Sequence, residues 1–206
     1  MTFGLPFAHL NLRRNPFGEF SVEERTVLAD VDVLEYDDFL TEHGATLQFV
    51  GEKGNGKTTH LLAIRARFAE SGYVHIPEGE KAEVPSGNPI LVDEAQRLTR
   101  WQQRQLFRSR APLVLGTHRD FSQELTRAGR QVRTVAVSDR MSVKRLTRIL
   151  NKRISWVRRG QGHVPSISCE SAGHLLNQFG PDIRQILFEM YEKFQNLPEG
   201  CRDVEV

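Results

Sequence analysis

Cysteine is nearly missing from this chain. Cys169 and Cys201 cannot build a disulfide framework, and neither has a histidine at the spacing of a zinc site. No apolar run approaches the ~18 residues that a membrane-spanning helix needs. The first residues lack a basic stretch followed by an apolar core and a cleavage site. These absences predict a reduced, cytoplasmic protein with no membrane partner. Charge of one sign is also missing, in two places. Between Glu19 and Glu42 only Arg25 opposes nine carboxylates, whereas the charges from Arg97 to Arg159 are overwhelmingly basic. A chain with an acidic end and a basic middle suits docking on itself, on a copy of itself or on a polyanion. Internal repeats and low-complexity segments are absent too.

What remains is an ordinary globular composition. With 206 residues, 39% of them hydrophobic and 26% charged, the chain can bury a core of one domain with a small appendage. Short apolar runs alternate with helical patterns, which predicts a parallel sheet with crossover helices. Strands are expected at 46–50, 73–76, 89–93, 112–116 and 132–137, and helices at 23–41, 57–70 and 94–108. After residue 137 the strand signal stops. Helices then fit 142–157, 168–179 and 181–197, the first with Val143, Leu146, Leu150 and Val157 on one stripe. The expectation is an α/β core with helices on both faces over 1–138 and a small helical lid over 139–206.

One stretch carries most of the chemistry. "GEKGNGKTTH" follows the apolar run Leu47-Gln48-Phe49-Val50 and opens a helix. It fits G-x-x-x-x-G-K-[ST] at Gly51, Gly56, Lys57 and Thr58, a pattern that a chain this long produces by accident on the order of once in a hundred. Glycines let successive backbone N–H groups turn inward around a phosphate, and the helix beyond adds its positive dipole end. The nucleotide-binding segment is therefore Gly51, Glu52, Lys53, Gly54, Asn55, Gly56, Lys57, Thr58 and Thr59. Lys57 would reach the β- and γ-phosphates of ATP, and Thr58 would hold Mg²⁺.

The other half of such a site is a strand ending in a carboxylate. "PILVDEAQRL" supplies four residues of strand followed by Asp93 and Glu94. In a parallel sheet Asp93 emerges at the edge where ligands bind, suited to Mg²⁺, and Glu94 suits activation of an attacking water as general base.

Together "GEKGNGKT" and "ILVDEA" resemble the AAA+ family of ATPases, and the resemblance extends over most of the chain. "APLVLGTH" is similar to the family's sensor 1 strand, which implies that Thr117 or His118 stands between the two phosphate-site motifs; asparagine is common there. "ELTRAGRQVRTVAV" resembles the segment with the arginine finger, with Arg130 the best match and Arg127 second. "FGPDIRQILFEMY" looks like the sensor 2 helix, which implies Arg184 on the γ-phosphate. The phenylalanine- and proline-rich "FGLPFAHLNLRRNPFGEF" is similar to the entry of bacterial members such as transposition target-selection and secretion-assembly ATPases. Phe17 and Phe20 within it read as core residues. The resemblance implies ATP bound between core and lid and a nucleotide-dependent homo-oligomer. Family unfoldases carry a helix and an aromatic pore loop between the second and third strands, and "PEGEKAEVPSGN" has no aromatic there.

In "SVKRLTRILNKRISWVRR" the residues Lys144, Arg148 and Lys152 recur every four positions, a cationic ladder on one helix face. It fits non-specific nucleic-acid binding. It fits equally a solvated face, or one paired with the acidic segment of a neighbouring subunit. The function expected is thus an ATP-hydrolysing switch that controls self-assembly or binding of a protein or DNA partner. The alternatives are a nucleotide-gated DNA-binding module with little turnover, and a P-loop small-molecule kinase, which should lack the Arg130 and Arg184 pair.

Overall fold

The structure is a computed structural model that describes residues 6–80, 82–137, 141–198 and 200–204. The chain divides into two units, Val31–Arg140 and a second built from Met1–Asp30 with Met141–Val206.

In the first unit five strands form one sheet: β1 (Ala45–Val50), β2 (Gly72–His75), β3 (Ile90–Asp93), β4 (Leu113–Thr117) and β5 (Gln131–Ala136). They lie in the order β2-β3-β4-β1-β5, and every pairing is parallel. Period-two alternation sorts their side chains. Leu47, Phe49, Leu91 and Val114 face one core, with Leu61 and Ile64 of α2 (Lys57–Arg65) and with Tyr36, Phe39 and Leu40. Ile90, Val92, Leu113 and Leu115 face the other. That side is covered by Leu106 and Phe107 of α3 (Arg100–Phe107) and Leu125 of α4 (Ser122–Arg127). Helices thus cover both faces, as expected of an α/β fold. The register pairs Val50 with Thr117 and Asp93 with Gly116, so β1, β3 and β4 end side by side at the carboxyl edge. β2 and β3 pair in parallel although the described residues between them form no helix.

Two expected helices break, for legible reasons. The one expected over 23–41 is only α1 (Val22–Leu28), followed by 3₁₀ turns at Leu34–Tyr36 and Phe39–Thr41. Asp32 Oδ1 accepts from the Leu34 amide at 3.1 Å, the local side-chain bond that competes with a helix. The one expected over 94–108 starts late, because Glu94 takes a left-handed φ of 63°. Thr99 then caps α3 afresh, in a reciprocal capping box with Gln102.

The second unit contains α1, α5 (Val143–Trp156), α6 (Cys169–Phe179) and α7 (Ile183–Gln195). Leu146, Leu150, Ile154, Leu175, Ile186, Met190 and Phe194 form its core. The entry segment joins this core rather than the α/β core, which corrects the division expected at residue 138. Leu10, Leu12, Phe17 and Phe20 are buried in it, and Phe17 meets Phe194 edge-on with ring centroids 4.9 Å apart. The expected boundary itself, between 138 and 139, lies outside the described residues.

The cationic face of α5 explains the change. Arg148 makes a two-pronged pair with Asp30, at 2.7 and 2.8 Å. Lys152 donates to the carbonyls of Val27 and Ala29, and Arg145 to that of Asp30. Arg153 donates to Pro16 and Gly18 while lying 4.3 Å over the Phe20 ring. Arg148 and Lys152 of the ladder, for which nucleic-acid binding, a solvated face and pairing with an acidic segment of a neighbouring subunit are equal readings of the sequence, therefore clasp the chain's own residues 27–30. Of Lys144, Arg148 and Lys152, only Lys144 stands outside the clasp; it is exposed.

Candidate nucleotide site

The loop 51–56 leaves β1 at the carboxyl edge and turns directly into α2. Gly56 makes this turn at φ 89°, a conformation that strains any residue with a Cβ. The first amides of α2 have no helical acceptors by construction, and they open on the loop. Lys57 is buried, only 5% exposed. Its ammonium donates to the carbonyls of Gly51 at 2.8 Å and Glu52 at 3.0 Å. One turn on, His60 bonds the Gly56 carbonyl through Nδ1 at 3.0 Å and lies against Phe49. Sequence reasoning missed His60, whose support of the turn shows only in three dimensions.

Thr58 Oγ1 donates to Asp93 Oδ2 at 2.7 Å, which brings the glycine-rich loop and the end of β3 into contact. Asp93 is fully buried, and its Oδ1 has no hydrogen-bond partner among the described residues. Gly116 makes room for it. A Cβ there would sit 2.7 Å from that oxygen. His75, at the end of β2, comes within 3.1 Å of Asp93 Oδ2 through Nδ1. It too was missed, since a lone histidine ending a strand carries no signal.

A threonine hydroxyl touching a buried carboxylate is a donor set that fits Mg²⁺. This ion prefers hard oxygens, and takes one or two protein ligands while water and substrate phosphate complete its shell. Among the described residues no cluster of three or more acidic, histidine or cysteine side chains forms a dedicated metal cage.

Glu94 is mostly buried, its side chain 12% exposed. Burial pushes its carboxyl up, but the Gln96 hydrogen bond and the nearby charges of His118, Lys57 and Arg97 outweigh that, and the net shift is downward. Gln96 is a further residue the sequence did not mark. Its Nε2 donates to Glu94 Oε2 at 2.7 Å, and its Oε1 accepts from the His118 amide at 3.3 Å.

Of the two sensor candidates, His118 is the one turned to the site. Its Nε2 lies 3.3 Å from Lys57 Nζ and 3.5 Å from Glu94 Oε2, and its Nδ1 lies 3.5 Å from Glu52. Because β4 runs between β1 and β3, a residue just past its end falls between the loop and the two carboxylates. Thr117 turns the other way, exchanging hydrogen bonds with the backbone of Arg119 at 2.9 and 3.0 Å.

Arg130 requires a correction. It sits just before the edge strand β5, at the opposite end of the strands from the glycine-rich loop, but its side chain points inward and is 6% exposed. The guanidinium donates to Thr46 Oγ1 at 2.5 Å and to the carbonyls of Ser109, Ala111 and Ala45 at 2.6, 2.6 and 2.9 Å. These groups lie where β1 and β4 begin. With four of its five N–H donors so engaged and the side chain 6% exposed, Arg130 is turned into its own fold rather than toward a neighbouring subunit. Arg127, the second candidate, ends α4 exposed. Arg184 is exposed in the first turn of α7, in the helical unit.

Two cavities, of about 380 and 320 Å³, are lined by residues of the helical unit, around Glu192–Leu197 and around Pro6–Arg14. No residue of the glycine-rich loop lines either. The loop's chemistry, rather than concavity, therefore marks the site. No protein-family model matches this chain, and no curated protein does.

Proposed function

We propose that this chain is a Mg²⁺-dependent ATPase of the AAA+ kind that its motifs resemble. One observation carries the reading. The Thr58 hydroxyl meets the Asp93 carboxylate at 2.7 Å, with Lys57, Glu94 and His118 gathered around the same loop. The phosphates of ATP would take the place of the Gly51 and Glu52 carbonyls as partners of Lys57, while the loop and first-turn amides bind their oxygens. Thr58 and Asp93 would hold Mg²⁺, which in such sites neutralises charge on the phosphate oxygens. Glu94, kept ionised by its surroundings, would accept the proton of the water that attacks the γ-phosphorus. His118 would hydrogen-bond the γ-phosphate between them.

Lys57→Ala tests the nucleotide site directly, since the phosphates lose the loop's buried cation. Calorimetric titration with Mg-ATP should show most of the affinity gone. Undiminished binding by that variant would sink the reading. With Arg130 committed inside the fold, Arg127 is the residue left to complete a neighbour's site in a homo-oligomer.

A further inference from the structure

Apart from the exposed Lys144, the cations of α5 are spent on the chain's own residues 16–30, but those along α3 are not. From residue 97 to residue 119 the chain has no Asp or Glu. Within that span Arg100, Arg104, Arg108 and Arg110 are all exposed. Among the described residues none of the four has an ion-pair partner, in contrast to Arg97 and Arg119, which pair with glutamates. Arg100, Arg104 and Arg108 follow one another at helical spacing. At about 100° per residue they share with Trp101 and Gln105 an arc of roughly 140° of α3. Leu106 and Phe107 are buried beneath, so this arc is the outward face.

Trp101 is 68% exposed, the most exposed large apolar side chain of the molecule's described residues. An indole left in water among guanidinium groups is poorly explained by folding, because it buries little and repels nothing. It suits a ligand that is both anionic and flat. The chain just past Arg108 is also held firm, since Arg130 grips the carbonyls of Ser109 and Ala111.

We propose that the outward face of α3, with Arg100, Trp101 and Arg104 and with Arg108 at its C-cap, binds single-stranded nucleic acid. The arginines contact successive phosphates, which needs charge but no sequence. Trp101 stacks on an unpaired base, whose face a duplex would hide. This surface is separate from the nucleotide site and does not rest on it.

The test uses the full chain without ATP, a thymidine oligonucleotide of about 15 nucleotides, and fluorescence anisotropy at low salt. The oligonucleotide should bind and quench tryptophan emission. Trp101→Phe should abolish the quench, because Trp156 is held by Glu24 elsewhere. Trp101→Ala should weaken binding about 5- to 150-fold, the range that loss of one stacked base gives. Arg104→Gln and Arg108→Gln should each flatten the slope of log K against log salt by about 0.7. Trp101, Arg104 and Arg108 are all exposed, so the fold should survive these changes. No binding at low salt would overturn the proposal, as would equal binding of a duplex or affinity that these variants leave unchanged. Displacement of the oligonucleotide by polyglutamate of matched charge would assign the face to an acidic protein, and would overturn it too.

Discussion

Arg130 and Lys57 are both buried cations, 6% and 5% exposed, yet their surroundings give them opposite prospects. Burial pushes the Arg130 guanidinium down to about 10, so it is still charged at neutral pH. Four bonds to fixed oxygens hold it, and none could be surrendered without leaving polar groups unpaired. Arg130→Ala should therefore act on stability, not turnover. Hydrogen bonds to a charged group contribute about 1.5–3 kcal/mol each, and several are lost together, so a loss of at least 3 kcal/mol is expected. At about 2–4 °C per kcal/mol, thermal melting should fall by ~6 °C or more. An unchanged melt with slow hydrolysis would return Arg130 to the finger role. Lys57 instead rests on two carbonyls of a loop that ATP would reorganise. Gly116 is a third residue whose value lies in its surroundings. Gly116→Ala puts a Cβ into the space of Asp93 Oδ1. Mg²⁺-dependent ATP binding should weaken even though Asp93 and Thr58 remain, and calorimetry with and without Mg²⁺ would show it.

Elements differed in how far the sequence disclosed them. Each strand was legible to within about a residue or two; in the central strands burial on both faces leaves apolar runs such as Leu113–Leu115, whereas the edge strands β2 and β5 are only partly buried. The glycine-rich loop and Asp93-Glu94 were legible because their chemistry is local. The course of residues 16–42 was not. It depends on partners such as Arg148, which reaches Asp30 across 118 residues of sequence. Composition showed opposite charges but could not show that they meet in one chain. The polar residue inside β1 was equally mute. Gln48 is fully buried; its amide nitrogen lies 2.6, 2.7 and 2.8 Å from Asp120, Ser122 and Thr134, and its oxygen accepts from the Phe121 amide. It thereby ties the strand that ends in the glycine-rich loop to the turn that carries His118. Gln48→Leu keeps the shape but strands those groups, and should cost about 1–3 kcal/mol in urea unfolding. A neutral outcome would mean that the turn is held by other contacts.

The whole molecule joins a parallel-sheet unit, which bears the candidate site, to a helical unit held together by the clasp of α5 on the entry segment. If subunits complete one another's sites, Arg127→Ala and Lys57→Ala should each be nearly inactive alone. Mixed, they should regain part of the activity, since one supplies the pocket and the other the arginine. Arginine fingers contribute ~10³–10⁵ in rate, so the rescue should be unmistakable. Specific activity should also rise with protein concentration, and flat activity without rescue would mean that the chain works alone. The claim beneath all of this is that Glu94 and the glycine-rich loop hydrolyse ATP. Phosphate release from Mg-ATP by the wild type and by Glu94→Gln, at matched nucleotide saturation, tests it most directly. The amide keeps the shape and hydrogen bonds of the carboxylate but cannot take a proton. Steady turnover by the wild type and a loss of about 10²–10⁴ in Glu94→Gln are expected; an inactive wild type, or equal rates in the two proteins, would contradict it.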